Sequence, residues 1–238
     1  MKVALATGAG HRLGREFALG LGRAGYTVAV HFRSRREDAD ETVRLLRSFG
    51  ARGEAFEADL AQDGAPQTLV DSVMKRFGRL DAILHAASPW IEKPLGEVTS
   101  ADWDATFGAG PKAAFFLAQA AEAELRRNSG SILVISDVAA VKAWPKLAAH
   151  CAAKAAMNSL VANLAVALGP EVRVNGIAPG IVLPPNDFPA EKLARIVAKT
   201  PLHRAVAVPD LIAMALSVLS NQSMTGQVVT VDAGLSVS

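Results

Sequence analysis

The apolar run Val3 to Ala6 breaks into Thr7-Gly8-Ala9-Gly10-His11-Arg12-Leu13-Gly14 and then into a helix-length pattern from Leu13 to Ala24. Glycines at such a strand-to-helix turn admit left-handed dihedrals and let the backbone come close to a ligand. The free N–H groups and dipole of the helix after the turn favour negative charge, so a pyrophosphate suits this place. Glycine serves left-handed dihedrals in strand-to-helix turns of many kinds, and the meaning of this one rests on the rest of the chain.

The remainder of the chain alternates between two patterns. Short β-rich runs at Val3 to Ala6, Thr27 to Phe32, Gly53 to Ala58, Ala82 to His85, Ser131 to Ser136, Val172 to Ile177 and Gln227 to Val231 read as strands. Helical patterns lie between them at Leu13 to Ala24, Asp38 to Phe49, Gln67 to Phe77, Ala113 to Arg127, Pro145 to Leu168 and Asp210 to Leu219. Several strands are apolar almost throughout, as expected of a parallel sheet covered on both faces. The fold class is therefore α/β, a single doubly wound Rossmann domain over 1–238 with a seven-stranded parallel sheet flanked by helices. No repeat, low-complexity tract or linker divides it.

The formal charge of +2 and the scattered basic residues argue against nucleic-acid or membrane-surface partners and for a small-molecule substrate. A lone Cys151 excludes an internal disulfide, and Met1-Lys2-Val3-Ala4-Leu5 enters a strand directly, which together suggest the cytoplasm. Polar residues or glycine interrupt the longest apolar stretches, so no membrane span is expected. His11, His85 and His203 lack metal-ligand spacing and read as cofactor-loop or surface residues, with no metal expected. Glu122 and Glu124 diverge on a helix and form a solvated face, not an acid-base couple. The segment from Pro145 to Leu168 is apolar nearly all round, and a sheet covers only one side of a helix. It is expected to pack against a second copy, giving a homodimer or homotetramer.

The second strand ends in His31-Phe32-Arg33-Ser34-Arg35-Arg36, with no carboxylate before Glu37. A carboxylate there binds the ribose hydroxyls of NAD, whereas a 2′-phosphate needs cations and hydroxyls. Arg33, Ser34 and Arg12, with His31 beside them, point to NADP(H). In these features the chain resembles the short-chain dehydrogenase/reductases, and the resemblance runs over its whole length. Asp59-Leu60 is similar to the family's adenine-contacting pair, and His85-Ala86-Ala87-Ser88 to its Asn-Asn-Ala-Gly turn. Arg173-Val174-Asn175-Gly176-Ile177-Ala178-Pro179-Gly180 resembles the segment that reaches the nicotinamide, and Thr225-Gly226-Gln227 with Val231-Asp232-Ala233-Gly234 resembles the closing strand. The resemblance implies cofactor contacts from Gly8, His11, Arg12, Leu13, Gly14, Ala86, Ala87, Ser88, Lys154, Pro179, Gly180 and Val182. Within the family the likeness is greatest to pteridine reductases and dihydropteridine-type reductases, through Arg12, the His31 to Ser34 stretch, Asp137 and Ala87-Ser88-Pro89-Trp90. Trp90 stands where those enzymes stack an aromatic ring on the pterin.

The family's Tyr-x-x-x-Lys pair reads here as His150-Cys151-Ala152-Ala153-Lys154. The resemblance gives Lys154 the nicotinamide ribose and makes Asp137, thirteen residues before His150, the counterpart of the carbonyl-polarising serine. Gly110 and Ala86 replace two asparagines. Imidazole titrates near neutrality and can donate a proton, but it is shorter than a phenol. Two functions thus stay open: an NADPH-dependent reductase acting on a carbonyl or C=N group, with Asp137, His150 and Lys154 catalytic, or an NADP(H)-binding protein that has lost this chemistry and serves as redox sensor or partner subunit. The region Val182 to Arg204 is expected to select the substrate, with Pro184, Pro185 and Asp187 in a lid.

Overall fold

A computed structural model describes residues 1–184 and 188–238 of the chain. The expected lid residues Pro185 and Asp187 lie outside the described residues. Seven strands form one sheet: β1 (Val3–Thr7), β2 (Thr27–Phe32), β3 (Gly53–Glu57), β4 (Ala82–His85), β5 (Ser131–Ile135), β6 (Arg173–Pro179) and β7 (Val228–Val231). Their order is β3-β2-β1-β4-β5-β6-β7, and every neighbouring pair is parallel. Both the seven-stranded sheet and the doubly wound topology expected from the alternation are present.

Side chains alternate across the sheet with a period of two, so each strand feeds two cores. On β1, Val3 and Leu5 join Ile83, Leu117 and Val161 on one face, while Ala4 and Ala6 join Phe17, Leu46 and Leu211 on the other. The first face is covered by α3 (Ala65–Phe77), α5 (Ala113–Arg127) and α6 (Ala148–Leu168), and the second by α1 (Arg12–Arg23), α2 (Arg36–Ser48) and α8 (Val208–Ser220). β1 pairs with β2 on one side and β4 on the other. The winding direction reverses there, and a crevice opens at the carboxyl ends of these strands.

Two helices went unforeseen. One is α4 (Ser100–Phe107), opened by a capping box in which Thr99 accepts from the Asp102 N–H and Asp102 accepts from the Thr99 N–H. It runs into a π-helical turn at Gly108–Lys112, where Gly110 leaves helical geometry (φ −90°, ψ −107°). The other is α7 (Ala190–Lys199), which occupies much of the region read as a substrate-selecting loop. Half-buried Lys192, Leu193, Ile196 and Val197 line one side of α7 at helical spacing.

Pro145 to Leu168 divides into a tight turn, Pro145–Leu147, and α6. By length and composition alone the segment reaches what a membrane span needs, with a mean hydropathy of 1.4. In the fold α6 is a core helix. Ala149, Ala153, Met157, Val161, Leu164 and Leu168 bury one stripe, while Val166 is 86% exposed; on α5, Phe115 and Phe116 are 40% and 41% exposed.

Candidate active site

The glycine turn closes on itself so tightly that a Cβ on Gly14 would meet the Gly8 carbonyl oxygen at 2.0 Å. Gly8 has φ +63°, and a Cβ there would stand 2.8 Å from Ala87 Cα on the loop after β4. Backbone thus faces backbone across the crevice, leaving space that side chains would otherwise fill. Among the described residues no side chain caps the α1 N-terminus at His11, and its first turn carries no acidic residue, so its positive end suits an anion. Arg12 adopts φ +50°, a conformation that suits glycine, and its guanidinium crosses the cleft to donate to the Leu183 carbonyl at 2.6 Å. Arg15 and Thr42, not singled out from the sequence, both donate to the Gly10 carbonyl and fix the middle of the turn.

From this turn a cleft of about 620 Å³ runs towards α7. Gly8, His11, Arg12, Leu13 and Gly14 line one end, Ala86, Ala87 and Ser88 one wall, and Trp90, Asp137, His150, Lys154, Pro179, Gly180 and Val182 the other end. His31, Arg33, Ser34, Asp59 and Leu60 are not in this cleft. His31 differs most from expectation: it is 2% exposed and stands behind the turn, where Nδ1 accepts from the Gly8 N–H at 3.1 Å and Nε2 faces the Ala58 carbonyl at 3.0 Å. It braces the turn and does not reach the surface where a phosphate would lie. Arg33 and Ser34 are exposed at the end of β2. Arg35 and Arg36 already pair with Asp38 and Glu57, which leaves Arg33 as the cation of this stretch without an ion-pair partner among the described residues. Asp59 accepts from the Ala61 N–H, and Leu60 turns its side chain into the core.

His85 is also corrected, from a loop or surface residue to a wholly buried one. It is 1% exposed, with Nδ1 at 2.9 Å from Thr7 Oγ1 and Nε2 at 3.2 Å from the Gly110 carbonyl. The Thr7 hydroxyl in turn accepts from the N–H groups of Ala86 and Ala87. Burial, with the Lys154 charge adding to it, lowers the His85 pKa to about 3. His31 is lowered to about 4 by burial, against the Ala58 carbonyl and Asp59.

At the middle of the cleft the three residues expected to be catalytic come together. Lys154 is buried and donates to the Ile135 carbonyl at 2.9 Å, and burial lowers its pKa to about 8 while the Asp137 carboxylate opposes the shift. Asp137 caps the turn Val138–Ala140 with one oxygen, accepting from the Ala139 N–H at 2.8 Å, and faces His150 Nε2 with the other at 3.4 Å. The His150 side chain is only 5% exposed against 26% for Asp137, and the Trp90 ring packs edgewise on the imidazole with centroids 5.1 Å apart. The carboxylate, and not the imidazole, is therefore the more open member of the pair. His150 Nδ1 is buried without a partner among the described residues.

The far end of the cleft holds residues that sequence reasoning missed. Glu92 and Lys192 pair at 2.6 Å, Lys192 stands 4.9 Å over the Phe188 ring, and Trp144 and Ile196 complete an apolar wall. The helical spacing of Lys192, Leu193 and Ile196 was the signal available for α7; nothing local marks Glu92.

A family profile described as enoyl-(acyl carrier protein) reductase matches residues 8–236. The hydroxynaphthalene reductase-like protein Arp2 of Metarhizium robertsii is 34% identical, over 98% of this chain and 94% of its own length. The chain belongs to the short-chain dehydrogenase/reductase family. Versicolorin reductase stcU of Emericella nidulans is 30% identical over 98% of this chain and 95% of its own. Among solved structures, FolM alternative dihydrofolate reductase 1 of Brucella canis, complexed with NADP, superposes with a TM-score of 0.90 at 29% identity, covering 100% of this chain and 95% of that one. As a family member with reductases among its relatives, this chain is an oxidoreductase of the short-chain type.

Proposed function

We propose that this protein is an NADPH-dependent reductase that transfers a hydride to a carbonyl or C=N carbon of a flat small molecule, with Asp137, His150 and Lys154 as its catalytic group. The observation that carries this reading is the convergence of those three residues on the cleft that starts at the glycine turn. The residues fit the cofactor: the backbone-walled space at Gly8 and Gly14 and the α1 N-terminus suit a pyrophosphate, with Arg33 and Ser34 for the 2′-phosphate, while Arg12 turns across the cleft to the Leu183 carbonyl. The NADP held by the FolM relative supports the same choice.

Reduced nicotinamide, when bound, supplies the hydride. Lys154, anchored by the Ile135 carbonyl, holds ribose hydroxyls and keeps a positive charge beside the reacting oxygen. The proton for the developing alkoxide or nitrogen anion comes from His150 in its imidazolium form, passed from Nε2 through a water held by the ionised Asp137 carboxylate, and solvent reprotonates the ring. Trp90, 45% exposed, shields the imidazole with one edge and offers a ring for a flat substrate to stack on. A pterin or a fused aromatic ketone fits this description. The apolar circumference of α6, with Val166 86% exposed, supports pairing with a second copy, which sedimentation of the intact chain tests.

The deciding experiment measures NADPH binding by fluorescence and turnover on dihydropterins, quinonoid pterins and cyclic ketones, with Asp137→Asn, His150→Ala and His150→Tyr alongside. Turnover by wild type, with losses of about a hundredfold in Asp137→Asn and His150→Ala, is the expected result. A wild type that binds NADPH but reduces nothing, while His150→Tyr gains activity, sinks the reductase. Activity should also fall as pH rises through about 8, where Lys154 loses its charge. Arg33→Ala should reduce the preference for NADPH over NADH by about tenfold, and Arg36→Ala, whose charge is already paired, should change it little.

A further inference from the structure

The Thr7 hydroxyl accepts from both the Ala86 and Ala87 N–H groups, at 3.1 and 3.2 Å, which uses its two lone pairs. Its one hydrogen is left for His85 Nδ1, 2.9 Å away. Nδ1 therefore accepts, and Nε2 carries the proton that faces the Gly110 carbonyl. His31 gives the same answer from a different strand. Its Nδ1 accepts from the Gly8 N–H, and its Nε2 faces a carbonyl that can only accept, that of Ala58. Two buried imidazoles in the same tautomer, one on β2 and one on β4, thus hold Thr7, the last residue of the strand between them, and Gly8, which follows it.

We propose that His31 and His85 are a matched pair of positioning residues, neutral and Nε2-protonated, that clamp Thr7 and Gly8 from the two neighbouring strands and set the width of the cofactor cleft. His85 acts through Thr7 on the Ala86 to Ser88 wall and ties it to the π-helical turn at Gly110. His31 acts on the Gly8 N–H, directly opposite the same wall, where Gly8 approaches Ala87 too closely for any side chain. A proton added to either Nδ1 sets donor against donor, at Gly8 N–H in one case and at the Thr7 hydroxyl in the other, where the hydroxyl has no further lone pair to offer. The groups that bear on these rings are Asp59 for His31, Lys154 and His31 itself for His85, and the carbonyls of Ala58, Ala109 and Gly110. Neither ring lines the cleft, so neither is a ligand to the cofactor.

The role in the cofactor cleft rests on the proposed dinucleotide binding, and the tests separate the two. Nitrogen-15 NMR of the histidine rings in the intact wild-type chain needs no variant: both rings are expected to stay neutral and Nε2-protonated from pH 8 to pH 5. An Nδ1–H tautomer, or an imidazolium at pH 6, for either ring overturns the clamp. Against NADPH, Thr7→Val and His85→Asn are each expected to weaken binding by about tenfold, and the double variant to be no weaker than either single, because the two share one hydrogen-bond chain. Thr7→Ser, which keeps the hydroxyl, should bind as wild type does. Fully additive losses, or a Thr7→Val protein with unchanged affinity, overturn the clamp. Failure of wild type itself to bind NADPH removes the dinucleotide reading instead, and the ring tautomers still decide whether the pair is locked.

Discussion

At the glycine-turn end of the cleft, Thr7, Gly8 and Gly14 are held by buried hydrogen bonds and by backbone packed on backbone. At the far end, Trp90, Glu92 and Lys192 are partly exposed side chains, joined by an ion pair and by contacts of one ring with another. The first arrangement has no slack, because a main-chain atom cannot swing aside as a rotamer can. The second can reshape at small cost. That division suits a protein that must hold one invariant cofactor and accept a substrate of its own, and it explains why an NADP-bound relative superposes so closely at modest identity. It also predicts that equivalent insults to the two ends have very unequal consequences.

The largest effect is expected from Gly14→Ala. The new methyl would overlap the Gly8 carbonyl at 2.0 Å, and the helix backbone must shift to admit it. Destabilisation of more than about 4 kcal/mol is expected, with loss of NADPH binding, read by thermal melting and fluorescence titration. Wild-type affinity in this variant would show that the turn end has slack and would erase the contrast between the two ends.

Acid should attack the same end next. The folded pKa values of His31 and His85, about 4 and about 3, lie below the 6.5 of a free imidazole. Between those limits the unfolded chain binds protons that the folded one refuses, so stability rises with pH there and is lost as pH falls below about 6.5. From pH 6.5 to pH 5 the two rings together account for about 3 kcal/mol, the slope of each rising from half to nearly the full ~1.4 kcal/mol per pH unit over that range. Urea melts over this range check it: His85→Asn should remove about half of the slope, and an unchanged slope in that variant would mean that other groups drive acid unfolding.

The contrast between the ends also decides what could be foreseen. Strands and their alternation with helices were legible because a parallel sheet buried on both faces leaves apolar runs, and β2 and β4 have the expected limits. The turn was legible because its glycines are local to one strand-to-helix junction, whereas Asp137, between β5 and α6, and Lys154 were singled out only through the resemblance to the family. His31 was misplaced because nothing in a sequence tells whether a residue at a strand end points at ligand or at the neighbouring strand; the bond from the Gly8 N–H decides it. His85 seemed unremarkable alone, since its partners Thr7 and Gly110 lie far from it in the chain. α4 carried a readable capping box in Thr99 and Asp102, and α7 a readable apolar stripe, so those two omissions were avoidable. The Glu92 to Lys192 contact, separated by a hundred residues, was not.

Arg12 joins the two ends, and two substitutions there separate its roles. With φ +50° its backbone favours glycine, although alanine is otherwise the better residue in a helix. Arg12→Gly should therefore be more stable than Arg12→Ala by about 1 kcal/mol, the reverse of the usual helix order. Both variants lose the bond to the Leu183 carbonyl, so both should weaken NADPH binding alike if that bond closes the cleft. Equal melting temperatures for the two would mean that the turn relaxes around Arg12, again giving slack to the end held by backbone packing.

The smallest effect should come from Glu92→Gln at the substrate end. Glu92 and Lys192 keep 27% and 39% of their side-chain surface exposed, and an ion pair in that setting contributes about 0.5 kcal/mol and weakens with salt. Melting should barely move. The substrate should respond instead: α7 is tied to the loop after β4 through this pair, so a freer α7 raises KM for the substrate several-fold and leaves NADPH affinity alone. A Glu92→Gln protein that melts several degrees lower, or that loses NADPH and substrate together, would mean that the far end carries structural load comparable to the turn. The two ends would then be one rigid body, and the freedom to reshape would have to lie elsewhere in the cleft.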